Sequence, residues 1–136
     1  MRSIGKLVII GVGLIGGSFA LAMKRAGLVG QVVGVGRSLD NLNRAIELGV
    51  IDAASQDPAQ AVAGADLVMV ATPVGQMGRV FDAIAPVLPA QAIVTDAGST
   101  KGDVAQLMRA HLPEHLAYCV PAHPIALALA EQLGEP

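Results

Sequence analysis

Cysteine is almost absent from this chain. Cys119 stands alone, so no internal disulfide and no cysteine-built metal site can form, and a reduced, cytoplasmic setting is the simplest reading. Aromatic residues are nearly as scarce: tryptophan is missing, and Phe19, Phe81 and Tyr118 are the only rings. Stacking on nucleic-acid bases is thereby excluded, and 9 basic against 11 acidic residues leave no basic field to hold a phosphate backbone. Charge is sparse at 15%, while hydrophobic residues make up 53%. That balance suits strands covered on both faces, or else a large exposed apolar patch. No run reaches the roughly 20 apolar residues of a membrane helix, so no membrane partner is expected. The opening MRSIGKLVIIGVGLIGGSFALA has the ingredients of a secretory signal, but its glycine spacing explains it better. With 136 residues the chain suits one domain with a sizeable core and leaves no room for a second of ordinary size.

What is present alternates. Lys6 to Ile10 reads as a buried strand, Leu14 to Ala26 as a helix closed near Gly27, Gln31 to Val35 as a second strand, and Ser38 to Leu48 as a polar-faced helix stopped by Gly49. A weak strand near Ile51 to Ala54 and a short helix from Pro58 to about Ala63 follow. Asp66 to Ala71 (DLVMVA) reads as a buried strand of parallel-sheet type, and a helix runs from Pro73 towards Ala85. Ala92 to Thr95, a helix from Thr100 to His111, and Leu116 to Val120 complete the series. Strand and helix in turn predict an α/β fold with a doubly wound parallel sheet of Rossmann type.

Gly11, Gly13 and Gly16 stand in G-x-G-x-x-G spacing directly after a strand and at the opening of a helix. In that setting the pattern predicts a dinucleotide cofactor. Gly11 permits the tight turn, Gly13 lets a pyrophosphate approach the backbone, and Gly16 lets helix and strand pack closely, while the first-turn N–H groups around Leu14 and Ile15 face the phosphates. The alternative is a glycine-rich turn in another α/β fold. At the end of the second strand, where an NAD site would carry an acid for the ribose hydroxyl, the sequence reads Gly36, Arg37, Ser38. Without a carboxylate, and with a guanidinium beside the gap, the site favours NADP over NAD. Against this stands a solvated Arg37 and a Ser38 that only caps the next helix, with NAD bound.

Ligands in such sheets lie beyond the carboxyl ends of the strands. Ala71, Thr72 and Pro73 follow the fourth strand and fit either a ribose or nicotinamide contact or an N-cap threonine with proline at the first helical position. After the fifth strand, TDAGSTKGD offers Asp96 and Gly98 to the cofactor. Thr100 and Asp103 fit a capping box, which leaves Ser99 and Lys101 to face the cleft. His123, held between Pro121 and Pro124 beyond the last strand, has the placement of a catalytic base, since imidazole can take a hydroxyl proton near neutral pH. A structural role is the alternative for any lone histidine.

Together GVGLIGGSFA, GVGRS, LGVID, DLVMVATPV, TDAGSTKGDV and VPAHPIA, in this order and spacing, resemble the prephenate and arogenate dehydrogenase family of tyrosine biosynthesis, from about residue 6 to Ala126. The pairing of DAGSTK with PAHPIA is far more specific than the glycine loop. The resemblance implies an NAD(P)-dependent oxidative decarboxylation of a cyclohexadienyl substrate, prephenate or arogenate. It puts His123 on the histidine that hydrogen-bonds the ring hydroxyl, and Ser99 on the serine that supports this histidine and the nicotinamide. It also implies a helical second domain, for substrate carboxylates and dimer contacts, that this chain lacks. Residues 1 to 124 would then be the dinucleotide-binding domain, with little or no activity alone. Residues 125 to 136 depart from the family pattern after HPIA. Ile125, Leu129 and Leu133 fall on one helical face, so the tail is expected to be a short helix that covers apolar surface or pairs with another copy, giving a homo-oligomer. Two other readings stay open: a non-catalytic dinucleotide-binding or interaction module, and the cofactor domain of another NADP-dependent oxidoreductase.

Overall fold

The structure, a computed structural model, describes residues 4–90, 92–96 and 117–119. The predicted helix from Thr100 to His111 and the tail beyond residue 124 lie outside these residues. Six strands form one parallel sheet: β1 (Ile4–Ile10), β2 (Val29–Val35), β3 (Ala53–Ser55), β4 (Leu67–Val70), β5 (Ile93–Asp96) and β6 (Ala117–Cys119), in the order β3-β2-β1-β4-β5-β6. Helices α1 (Leu14–Arg25), α2 (Leu39–Glu47), α3 (Pro58–Ala61) and α4 (Val74–Ile84) connect them, and α4 ends in a short 3-10 turn, Ala85–Val87. Among the described residues no helix is long and apolar enough to cross a membrane.

The unbroken apolar runs of the central strands serve two cores at once, because successive side chains point to opposite faces. From β1, Leu7 and Ile9 enter the core under α1 and α2, while Val8 and Ile10 enter the core under α3 and α4. β4 divides in the same way, with Leu67 and Met69 on the first side and Val68 and Val70 on the second. Met77, Phe81 and Ile84 seat α4, and Ala20 and Met23 seat α1. On β2, Gly34 occupies the position facing α2, where a Cβ would lie 2.7 Å from Ile51 Cδ1 and 2.8 Å from Val12 Cγ2. The strand yields its own side chain there so that the loop after α2 can be buried.

Element ends differ from the sequence reading for identifiable reasons. β1 begins at Ile4 rather than Lys6, because the carboxylate of Asp66 accepts hydrogen bonds from the N–H groups of Gly5 and Lys6 (2.9 and 3.0 Å) and organises a stretch with no apolar pattern. β3 begins at Ala53 rather than Ile51. Val50 and Ile51 still donate to Ala45 O at the end of α2 (2.9 and 3.4 Å), so they close that helix before the strand starts.

Between them Asp52 acts as a splice. Its N–H donates to Val32 O (2.8 Å), its Oδ2 accepts from Val32 N (2.8 Å), and its Oδ1 takes a hydrogen bond from Lys24 Nζ (2.9 Å), which also donates to Gly49 O (3.0 Å). The Lys24 hydrogen bond outweighs the burial penalty and, with the Val32 N–H and the Lys24 charge, holds the Asp52 pKa below its ordinary value of 3.8. A carboxylate with a lowered pKa in the folded state stabilises the fold above its unfolded pKa and loses that contribution as pH falls through the folded value. Unfolding by denaturant between about pH 6 and pH 3 should therefore show stability falling below about pH 4, and Asp52→Asn should flatten that part of the profile. The side chain is 41% exposed, so screening keeps the ionic part small, about 1 kcal/mol or less. An unchanged profile would remove Asp52 from this role.

Candidate functional site

The chain passes from β3 at the sheet edge back across β2 and β1 to β4, so the connections leave the carboxyl ends of β1 and β4 in opposite directions. A crevice opens there, as at any such switch point. Here it is a cleft of about 580 Å³. Three segments supply its walls: Gly11 to Gly13 after β1; Gly36, Arg37, Ser38 and Asn41 after β2, with Gln56 and Pro58 beside them; and Ala71, Thr72 and Pro73 after β4, with Gln76, Arg79 and Val80 of α4.

The three glycines of the loop have three different physical reasons to be glycine. Gly11 adopts a left-handed φ of +97°, and a Cβ there would lie 3.0 Å from the backbone of Ala71. Its N–H donates to Val35 O (2.8 Å), tying the turn to β2. Gly16 sits where α1 crosses the loop; a Cβ would be 2.6 Å from Gly11 O and 2.9 Å from Ile9 Cγ2. Gly13 is the exception. Its φ is -109°, and among the described residues nothing lies within 4 Å of the Cβ position, so neither backbone nor their packing asks for glycine. The bare position borders the cleft at the N-cap of α1, where no side chain caps the helix and the ladder starts with Gly17 N donating to Gly13 O (2.8 Å). The N–H groups of Leu14, Ile15 and Gly16 thus have no acceptor within the helix and, with the dipole behind them, favour an anion. The side chains of Leu14 and Ile15 stand in solvent, 87% and 61% exposed, so only their backbone can serve this purpose.

At the end of β2, Gly36 donates its N–H to Ser55 O (3.3 Å), and a Cβ would meet Leu42 at an ordinary 3.4 Å. The absence of an acid at this position is therefore a choice of chemistry and not of space. Arg37 is exposed, and its carbonyl accepts from Gln56 Nε2 (3.0 Å), which fixes the turn. Ser38 does cap α2: its Oγ accepts from Asn41 N (3.3 Å).

Thr72 does not cap α4. The helix starts one residue later than expected, with Pro73 as its N-cap, and this moves the threonine hydroxyl out of reach of the first-turn N–H groups. Thr72 Oγ1 is buried without a hydrogen-bond partner. An orphaned hydroxyl in a cleft wall is the kind of group that a ligand or water satisfies. Asp96 closes β5, 3% exposed and opposite Val70 of β4. Gly98, Ser99, Lys101 and His123 lie outside the described residues.

Arg79, Gln76 and Gln56 escaped the sequence reading, which followed each strand only to the first turn of the next helix. The spacing of Gln76, Arg79 and Val80 places all three on one face of α4, so a helical projection would have found them. Among the described residues the cleft lining contains two arginines and no carboxylate. Among the described residues the ion pair is Lys24 with Asp52, which leaves Arg37 and Arg79 unpaired. A long crevice with free helical N–H groups at one end and two guanidinium groups in its walls can hold an elongated ligand bearing several phosphates.

Comparison with known proteins agrees with this arrangement. Residues 19–129 match the family model described as prephenate dehydrogenase, nucleotide-binding domain. The match begins after the glycine loop, whose reading rests on its own geometry. A cyclohexadienyl dehydrogenase of Zymomonas mobilis is 39% identical over 120 residues, 88% of this chain and 40% of the relative; a prephenate dehydrogenase of Bacillus subtilis is 34% identical over 121 residues, 88% of this chain and 32% of the relative. The crystal structure of the Aquifex aeolicus prephenate dehydrogenase, in complex with hydroxyphenyl propionate and NAD+, superposes with a TM-score of 0.77 at 29% identity, covering 88% of this chain and 42% of that one. The chain thus spans well under half the length of each of these relatives.

Proposed function

The chain belongs to the prephenate dehydrogenase nucleotide-binding domain family, and from that premise we propose that it is the cofactor-holding part of an oxidative decarboxylation of prephenate or arogenate, with NADP preferred to NAD. The observation that carries the cofactor part is Gly13, a glycine for which neither its own backbone nor its neighbours supply a reason, set beside unsatisfied helical N–H groups at the cleft. There the backbone would receive the pyrophosphate. Arg37 and the Ser38 hydroxyl, which can still donate, would take the 2′-phosphate, and no acid stands at Gly36 to repel it. The unpartnered Thr72 hydroxyl and the end of β4 would face the inner part of the cofactor, with Asp96, Gly98 and Lys101 after β5 completing that side.

When bound, the nicotinamide supplies an acceptor for hydride. The chain's own contribution to the chemistry is positioning and proton transfer: His123 accepts the proton of the substrate's ring hydroxyl, and Ser99 orients the imidazole. Loss of carbon dioxide aromatises the ring, and that driving force leaves the protein little to do beyond placing donor, acceptor and base. These two assignments follow the DAGSTK and PAHPIA motifs. The same family relationship makes a hydroxyacid or imine reductase the poorer reading.

Calorimetric titration with NADP and NAD tests the cofactor assignment. NADP should bind more tightly, and Arg37→Ala should weaken NADP about tenfold or more while leaving NAD nearly unchanged, the cost of one charge-assisted phosphate contact. Equal affinity for the two dinucleotides in the unmodified chain would count against the preference.

A further inference from the structure

We propose that Arg79 of α4 is a second anchor for the cofactor's 2′-phosphate, a specificity residue acting with Arg37 from the other wall of the cleft. The inference rests on the dinucleotide reading given above. The two guanidinium groups come from different elements, the turn after β2 and the middle of α4, yet both line one cleft that no carboxylate among the described residues lines. Neither is neutralised by an ion pair among the described residues, so their charges are available to a ligand. Two like charges facing one crevice disfavour each other until an anion enters between them. The pyrophosphate already has the free N–H groups of α1, on the opposite face of the sheet from α4.

At the other end cations are few. Ser38 Oγ is engaged as an acceptor by Asn41 N and Gln56 Nε2 donates to Arg37 O, so the Ser38 hydroxyl proton, the Asn41 side-chain amide and the Arg37 fork are on hand for a doubly charged phosphate, with one cation among them. Arg79 supplies a second cation from a rigid support. Met77, Phe81 and Ile84 are fully buried and hold α4 on the sheet, and Val80 packs beside them, so the exposed arginine leaves a fixed helix rather than a loop. A guanidinium that only stacked on the adenine ring would be the other use of this position, and it would not distinguish the two dinucleotides.

The test is titration of the unmodified chain, Arg79→Gln and Arg79→Lys with NADP, NAD and adenosine 2′,5′-bisphosphate. Glutamine keeps the helix propensity at an exposed site, so folding is not at stake. Arg79→Gln should weaken NADP and the bisphosphate about tenfold while NAD stays within about twofold, and Arg79→Lys should recover part of the loss, because the charge is kept and the planar fork is not. Equal weakening of NADP and NAD, or no change in either, would overturn the assignment. An unmodified chain that binds neither dinucleotide removes the cofactor reading and this inference with it, whereas NADP binding untouched by Arg79→Gln removes Arg79 alone.

Discussion

Gly13→Ala should leave folding stability within about 1 kcal/mol of the unmodified chain and weaken dinucleotide binding by a factor of roughly ten to a hundred. Gly16→Ala, three residues on, should do the reverse at the first step, lowering stability by about 3 kcal/mol and the thermal midpoint by roughly 10 °C. The difference lies in what an added methyl group meets. At Gly13 it meets nothing within 4 Å among the described residues, and the backbone is one alanine adopts, so what it would strike is a bound ligand. At Gly16 it would sit 2.6 Å from Gly11 O, 2.9 Å from Ile9 Cγ2 and 3.3 Å from Ala71 Cβ, so loop, β1 and the end of β4 must all give way. Thermal unfolding and calorimetric titration of the two variants measure both quantities. A Gly13→Ala chain that binds as tightly as its parent would remove the pyrophosphate from this loop.

The second large effect is expected at the end of β2. Gly36→Asp should invert the cofactor preference, shifting the ratio of NADP to NAD affinity by roughly a hundredfold. The site tolerates the side chain, because its Cβ would touch Leu42 at 3.4 Å and the backbone there is not left-handed. The new carboxylate would repel the 2′-phosphate, accept hydrogen bonds from a ribose diol, and draw the Arg37 guanidinium into an ion pair. Competitive titration of the variant with both dinucleotides reads the shift, and loss of both affinities together would mean that Gly36 is needed for shape and not for charge.

The sheet was legible because its signal is continuous and two-sided: LVII, VVGV and LVMV carry no polar residue, which a parallel strand buried on both faces allows and an amphipathic helix does not. Helix ends were legible where glycine had to turn left-handed, as Gly27 and Gly49 do. The glycine loop, the gap at Gly36 and the Ser38 cap could be read from single positions. Other features could not, because they depend on residues far apart in the chain. Asp66 reaches back some sixty positions to organise β1, and Asp52 ties β2 to α1 through Lys24. The choice between the two roles open to Thr72 was not legible either, because a shift of one residue in the start of α4 decides which side chain meets the helix. Arg79 lay within reach of a helical projection of α4, but its relation to Arg37 exists only once that helix packs on the sheet.

The three-residue length of β3 has a consequence for how the molecule behaves in company. It is an outer strand of the sheet, and an outer strand shows unpaired backbone to any other chain that comes near. Here that invitation is brief. Beyond Ser55 its own hydroxyl accepts from Asp57 N (3.0 Å), and Pro58, which has no N–H to offer, starts α3 at once. A neighbouring copy would find about one turn of ladder to extend before the chain bends away, too little to seed intermolecular sheet growth. The same short segment that carries β2's neighbour thus acts as a guard against aggregation at this edge.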